Sequence, residues 1–211
     1  MSARTAGLRS ILSLPEAYRW MREAVGLNRW LQSYVQQYLK PKPGDRILDI
    51  GCGTGEVVRY LPGTSYLGFD HHVPYIGYAV RTFGDQGQFV VGDVADHLAE
   101  VKGQFDLVMA NGVLHHLDDQ LARRAFQLGA AALRPGGRMV TVDPCFYEGQ
   151  GRLARLIARH DRGEYVREFD AYAKLAAGSF RLVDTGLWAG NFPLPFSVAI
   201  VQCRNEVRPS T

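Results

Sequence analysis

The chain is poor in several things, and each shortage removes a class of explanation. Its 211 residues include three cysteines, at 52, 145 and 203, without a Cys-x-x-Cys spacing. An odd, scattered set of this kind makes neither a disulfide framework nor a zinc site, and a reducing cytoplasm is the expected setting. No stretch approaches the ~20 consecutive apolar residues of a membrane span. Charge of one sign is also scarce: 24 Lys and Arg against 21 Asp and Glu leave a formal net charge of +3, too slight to favour nucleic acid or a membrane surface as partner. The N-terminus has no acid before Glu16. It also lacks the long apolar run and small-residue cleavage site of a secretion signal, although its basic composition is compatible with a mitochondrial presequence. His71 and His72 form a pair to which no further ligand arrives at useful spacing, so no metal is expected. There is no internal repeat and no low-complexity tract.

What the chain does have is a 46% hydrophobic composition, enough for one sizeable core and most simply a single folding unit. Apolar residues at helical spacing predict helices over 16–25 and 27–39, which Pro41, Pro43 and Gly44 then end. From there strands are expected at 45–50, 65–69, 88–92, 105–110 and 137–143, with helices near 55–61, 74–83, 94–101 and 119–133 between them. An arginine-rich segment at 150–167 precedes a helix at 168–177 and strands near 179–188 and 196–203. Near-continuous apolar strands alternating with helices imply a parallel sheet covered on both faces. In open sheets of this kind a ligand sits beyond the carboxyl ends of the strands, where the strand order reverses.

The most informative stretch is Arg46-Ile-Leu-Asp-Ile-Gly-Cys-Gly-Thr-Gly-Glu56, a short apolar strand running through three alternating glycines into a helical segment. Glycines at 51, 53 and 55 remove Cβ atoms that would keep a ligand off the backbone. Asp49 can accept hydrogen bonds from an ammonium group. The nicotinamide-binding fingerprint Gly-x-Gly-x-x-Gly fails in register, because its third position falls on Glu56 or Val58. The observed spacing, Asp-x-Gly-x-Gly-x-Gly, resembles motif I of the class I S-adenosylmethionine-dependent methyltransferases. Phe105-Asp-Leu-Val-Met-Ala-Asn-Gly-Val-Leu-His-His-Leu117 resembles that family's fourth motif, and Leu133-Arg-Pro-Gly-Gly-Arg-Met-Val-Thr-Val-Asp-Pro144 resembles the turn and fifth strand behind it. Together these cover residues 45–144. The chain looks most like small bacterial ubiquinone- and sugar-type methyltransferases.

The resemblance implies an α/β fold with a doubly wound, mostly parallel seven-stranded Rossmann-like sheet. It further implies an N-terminal helical lid, residues 1–43, forming one unit with a cofactor-binding domain at 44–211. S-adenosylmethionine would be the methyl donor and S-adenosylhomocysteine the product. The cofactor would lie against Asp49, Gly51, Cys52, Gly53 and Gly55. Asp70 would take the ribose hydroxyls, Asp93 would accept from the adenine amino group, and His71, Val94, Asn111 and Tyr18 would border the site. Methyl transfer to a hydroxyl also needs a place for the acceptor's proton. His115 is expected as general base with Asp143 as its orienter, and His116, pointing about 100° away on a helical turn, is the lesser candidate. Arg152, Arg155 and Arg162 are candidates for an anionic acceptor, against the ordinary alternative of a solvated helix face. Asn111-Gly-Val-Leu114 lacks the Pro-Pro-aromatic sequence of enzymes acting on amide or adenine nitrogens. The expectation is O-methylation of a small molecule by a monomer or homodimer. An RNA or protein methyltransferase, or a cofactor-binding protein without methyl transfer, stands as the alternative.

Overall fold

A strand can be apolar on both faces only where both are covered, and residues Phe105–Asn111 are buried at every position but the last. The structure, a computed structural model, describes residues 27–189 and 196–205. The helix expected at 16–25, with Tyr18 and Trp20, lies outside the described residues. Among the described residues there are eight strands: β1 Arg46–Ile50, β2 Ser65–Asp70, β3 Gln88–Val91, β4 Phe105–Asn111, β5 Leu133–Phe146, β6 Arg167–Glu168, β7 Leu182–Ala189 and β8 Ser197–Arg204. Their order is β3-β2-β1-β4-β5-β8-β7, with the two-residue β6 pairing with the end of β5. Strands β1 to β5 run parallel, and β8 lies antiparallel to both β5 and β7. This is the expected doubly wound, mostly parallel seven-stranded sheet, with β6 as a small addition.

Because side chains alternate along a strand, the core divides into two halves, one on each face of the sheet. Leu48, Val108, Ala110 and Met139 pack on one side with the helices α3 Leu98–Val101, α4 Asp119–Ala132 and α6 Ala171–Ala176. On the other, Ile47, Leu107, Met109 and Val140 pack with α1 Leu27–Tyr34 and α2 Val73–Phe83. Helix α4 starts cleanly because the Asp118 carboxylate accepts the Leu121 N–H at 2.9 Å. A further helix, α5 Arg152–Arg159, lies in the crossover after β5.

Three helical elements depart from the sequence expectation. The helix foreseen at 55–61 is a 3-10 turn, Glu56–Tyr60, confined between the left-handed Gly55 and Pro62. The one foreseen at 94–101 is divided into a 3-10 turn, Val94–His97, and the short α3. After Tyr34 the first helix widens into a π turn, Val35–Leu39, ended by Lys40 in the left-handed region. The Arg138 guanidinium then ties that end to β5 by donating to the carbonyls of Leu39 and Lys40.

Strand β5 also outruns its expected end at 143 and passes through Pro144. The proline is tolerated because it follows the last rung with β4, Asn111 opposite Val142, so no β4 carbonyl awaits the missing N–H. Its own carbonyl accepts the Tyr172 hydroxyl at 2.8 Å.

Candidate functional site

The strand order reverses between β1 and β4, so the loops leaving their carboxyl ends flank an opening. The loop after β1 is tethered by Gly51 and Cys52, whose N–H groups both donate to the Phe69 carbonyl. Its three glycines serve different ends. A Cβ on Gly51 would come within 2.5 Å of Val113, and one on Gly55 within 2.5 Å of the Phe89 ring, so these two allow close packing. Gly53, with φ +55°, would point its Cβ into space with nothing within 4 Å. That space is the cradle a ligand can fill. Cys52 is half-buried, and burial together with Asp49 and Asp70 pushes its thiol up, which keeps it neutral.

Asp49 is buried at the end of β1. Tyr66 donates its hydroxyl to Oδ2 at 2.7 Å, while Oδ1 is buried without a partner among the described residues. Burial raises the Asp49 pKa to about 7, opposed by the Tyr66 hydrogen bond and assisted by Asp70. An orphaned carboxylate oxygen beside an open glycine cradle fits an ammonium-bearing ligand. At the end of β2, Asp70 accepts the Gly53 N–H on one oxygen and the His72 N–H on the other, both at 2.8 Å. It thereby holds the glycine loop as well as standing at the strand tip.

Beyond β3, Asp93 caps the following turn by accepting the Ala95 N–H at 2.8 Å. Its second oxygen lies 3.8 Å from His71 Nε2, with the His71 side chain largely exposed and that of Asp93 half-exposed. Val94 has its side chain buried in the core with Leu48 and Phe69, so it is the backbone there that faces a ligand. Asn111, at the end of β4, accepts the Tyr34 hydroxyl at 2.8 Å. Tyr34 is fully buried, and its hydroxyl pKa is raised by burial and by Asp49 and Asp143. A residue of α1 therefore reaches between the ends of β1, β4 and β5.

His115 and Asp143 meet across the ends of β4 and β5. Nδ1 lies 2.8 Å from Asp143 Oδ1, which also accepts the His115 N–H at 3.1 Å. The other ring nitrogen, Nε2, is 3.1 Å from Asp161 Oδ1. Burial lowers the imidazole pKa, but the hydrogen bonds and charges of Asp143 and Asp161 outweigh it and bring the value to about 9. In this arrangement His115 is an imidazolium with both nitrogens engaged, so it cannot accept a proton until Asp161 moves. His116 is exposed, with its ring centroid 4.1 Å from that of His115. Its pKa is lowered by partial burial and by the neighbouring positive charge.

The arginine-rich segment separates into different roles. Arg152 and Arg159 lie exposed on α5, and Arg162 is exposed in the loop after it. Arg155 sits over the Phe146 ring at 5.1 Å and 3.7 Å from Glu168, so it is already engaged. Arg167 is nearly buried, donating to the carbonyls of Leu114 at 2.7 Å and Leu117 at 2.6 Å, and it braces the turn that carries His115. Sequence reasoning did not find Asp161, Tyr66 or the bracing role of Arg167. Each acts through a contact between distant parts of the chain, and none belongs to a recognisable spacing. Among the described residues, no group of three or more His, Cys, Asp or Glu could hold a metal ion, and no helix is long and apolar enough to cross a membrane.

Comparison with known proteins agrees with this geometry. Residues 47–137 match the family described as "Methyltransferase domain". The protein named "Probable tRNA methyltransferase 9B" from Mus musculus is 36% identical over 110 residues, which are 50% of this chain and 23% of that protein. Trans-aconitate 2-methyltransferase from Deinococcus radiodurans is 29% identical over 120 residues, 54% of this chain and 43% of that one. The chain thus spans less than half the length of both relatives. Among solved structures, a phosphoethanolamine N-methyltransferase 2 of Haemonchus contortus, in complex with phosphomonomethylethanolamine and S-adenosylhomocysteine, superposes with a TM-score of 0.71. It has 15% identity, covering 96% of this chain and 61% of that one. The glycine loop, the strand order and the methyltransferase domain matched over residues 47–137 support a class I S-adenosylmethionine-dependent methyltransferase, with S-adenosylmethionine as the methyl donor.

Proposed function

We propose that this chain transfers the methyl group of S-adenosylmethionine to an oxygen of a small anionic acceptor. The observation that carries the reading is a juxtaposition. An open glycine cradle with the orphaned Asp49 oxygen lies at the end of β1, and the His115–Asp143 pair stands at the ends of β4 and β5. Asp49 Oδ1 holds the donor's ammonium group, Asp70 takes the ribose hydroxyls and Asp93 the adenine amino group. His71, Cys52, Asn111 and the backbone at Val94 border the same ligand. Of the lid expected at residues 1–43, the described part is α1 and the π turn after it, which pack on the sheet of the domain formed by 44–211, while Tyr18 lies outside the described residues.

The cofactor supplies an electrophilic methyl carbon on a sulfonium. The protein's part is first to align acceptor oxygen, carbon and sulfur, and alignment of this kind is worth roughly 7–11 kcal/mol in well-oriented systems. Its second part is to manage the proton. As the carbon–oxygen bond forms and the carbon–sulfur bond breaks, the acceptor's hydroxyl proton passes to His115 Nε2, while Asp143 holds the proton on Nδ1. Arg162, whose charge acts on His116, and the exposed Arg152 are suited to the acceptor's negative group. The anionic small molecule in the name of the trans-aconitate relative supports this choice. Incubation with methyl-labelled donor and a metabolite extract, followed by mass spectrometry, should yield a small product heavier by one methylene equivalent. Label appearing only in RNA or protein would overturn the small-molecule assignment.

The burial of Asp49 adds a pH dependence. Its pKa of about 7 means that the unliganded carboxyl is partly protonated at neutral pH, whereas only the carboxylate can pair with an ammonium. Cofactor affinity should hold above that value and weaken as pH falls through it, by up to about tenfold per unit. Binding near neutrality should release a proton. Titration calorimetry in buffers of different ionisation heat measures this directly, and a heat that does not vary with the buffer would place the ammonium elsewhere.

A further inference from the structure

We propose that Asp161 is a positioning residue for His115, and that residues 160–166 form a latch whose carboxylate occupies the ring nitrogen an acceptor must reach. The inference deepens the reading of His115 as the acceptor's base and rests on it. Two hydrogen-bond acceptors, Asp143 at 2.8 Å and Asp161 at 3.1 Å, flank the one imidazole. A ring that bonds to a carboxylate through each nitrogen must donate from both, which only the imidazolium can do.

The two carboxylates differ in how they are held. Asp143 is almost fully buried in the middle of the sheet, between β4 and β8. Asp161 is partly exposed and comes from a loop outside the sheet, between α5 and β6. That loop lies directly on the histidine. The Tyr165 N–H donates to the His115 carbonyl at 2.9 Å, the Gly163 N–H donates to Asp161 Oδ1 at 2.8 Å, and a Cβ on Gly163 would fall 2.1 Å from His115 Cδ2. Of the two anions, Asp161 is the one whose departure leaves the sheet unchanged.

The chemical consequence concerns the timing of proton transfer. With Asp161 in place, His115 stays protonated, in keeping with its pKa of about 9, and Nε2 has no lone pair to offer. The other charged or titratable groups around it are Asp143 from β5, His116 on the same turn, Arg162 beside Asp161, and the Arg167 guanidinium on the Leu114 and Leu117 carbonyls. When an acceptor displaces the loop, one of the two anions holding the proton is lost. The Nε2 proton passes to solvent, and the vacated lone pair then takes the acceptor's proton. Asp161 therefore keeps the base inactive until the acceptor site is filled.

The test is an NMR titration of the histidine rings in the full chain, wild type and Asp161→Asn, without any acceptor. His115 should titrate near pH 9 in the wild type, and its midpoint should fall by about one unit or more in the variant. Asp161→Glu, which keeps the charge, should restore part of the shift. An unchanged His115 midpoint in a folded Asp161→Asn variant, with melting temperature as the check on folding, would overturn the latch. Because this readout needs no methyl transfer, it separates the two readings. A shifted midpoint with no methylated small molecule would sustain the latch and sink the proposed acceptor class. Once an acceptor is in hand, the acidic limb of kcat/KM should move to lower pH in Asp161→Asn.

Discussion

Alanine in place of His115 should lower turnover by roughly 10²- to 10⁴-fold, the usual range for a lost general base, while leaving cofactor affinity nearly intact. The separation follows from geometry, since His115 stands at the ends of β4 and β5 on Asp143, whereas the glycine cradle follows β1. Asp143→Asn should act in the same direction. The double variant should lose less than the product of the two single effects, because base and orienter work as a unit. His116→Ala is the control and should be milder, its ring being exposed. Full turnover by His115→Ala with the identified acceptor would leave alignment alone as the mechanism.

The same substitution has a pH-dependent cost in stability, because it leaves the buried Asp143 carboxylate without its cation. The folded-state pKa of His115, about 9, lies above its unfolded value of ~6.5. The imidazolium's contribution is therefore fully present below pH ~6.5 and is lost as pH rises through about 9. The gap in melting temperature between wild type and His115→Ala should accordingly narrow at alkaline pH. A gap that widens with pH would mean that the buried ring is neutral.

Asp70→Ala should weaken binding of S-adenosylmethionine by roughly ten- to a hundredfold, since hydrogen bonds to a charged group are worth about 1.5–3 kcal/mol. The structure gives a second reason for the loss. The carboxylate also holds the Gly53 N–H and the His72 N–H, so its removal slackens the cradle as well as deleting ribose contacts. Folding should suffer less than binding, because Asp70 stands at a strand end and is not in the core. Titration calorimetry with the methyl donor and its demethylated product is the measurement, and nicotinamide and flavin dinucleotides should show no binding to either form. An unchanged dissociation constant in Asp70→Ala would assign the ribose to another acid.

The sequence by itself determined the sheet, the cradle and the order of the acids behind it. Those features are local: apolar runs such as Phe105–Asn111 define strands, and three glycines at fixed spacing fit one kind of turn. Asp49, Asp70 and Asp93 each follow directly from the strand that ends beside them. The pairing of His115 with Asp143 was also within reach, because the strand order makes β4 and β5 neighbours. Tertiary structure decided what each group is free to do. Val94 turned into the core, Arg155 and Arg167 found partners within the protein, and Tyr34 arrived from α1 to bond Asn111. Asp161 was assigned to His115 by a fold-back of 46 residues for which no sequence spacing gives a signal. A hydrogen bond depends on distance in space, and along an irregular loop that distance is set by packing alone.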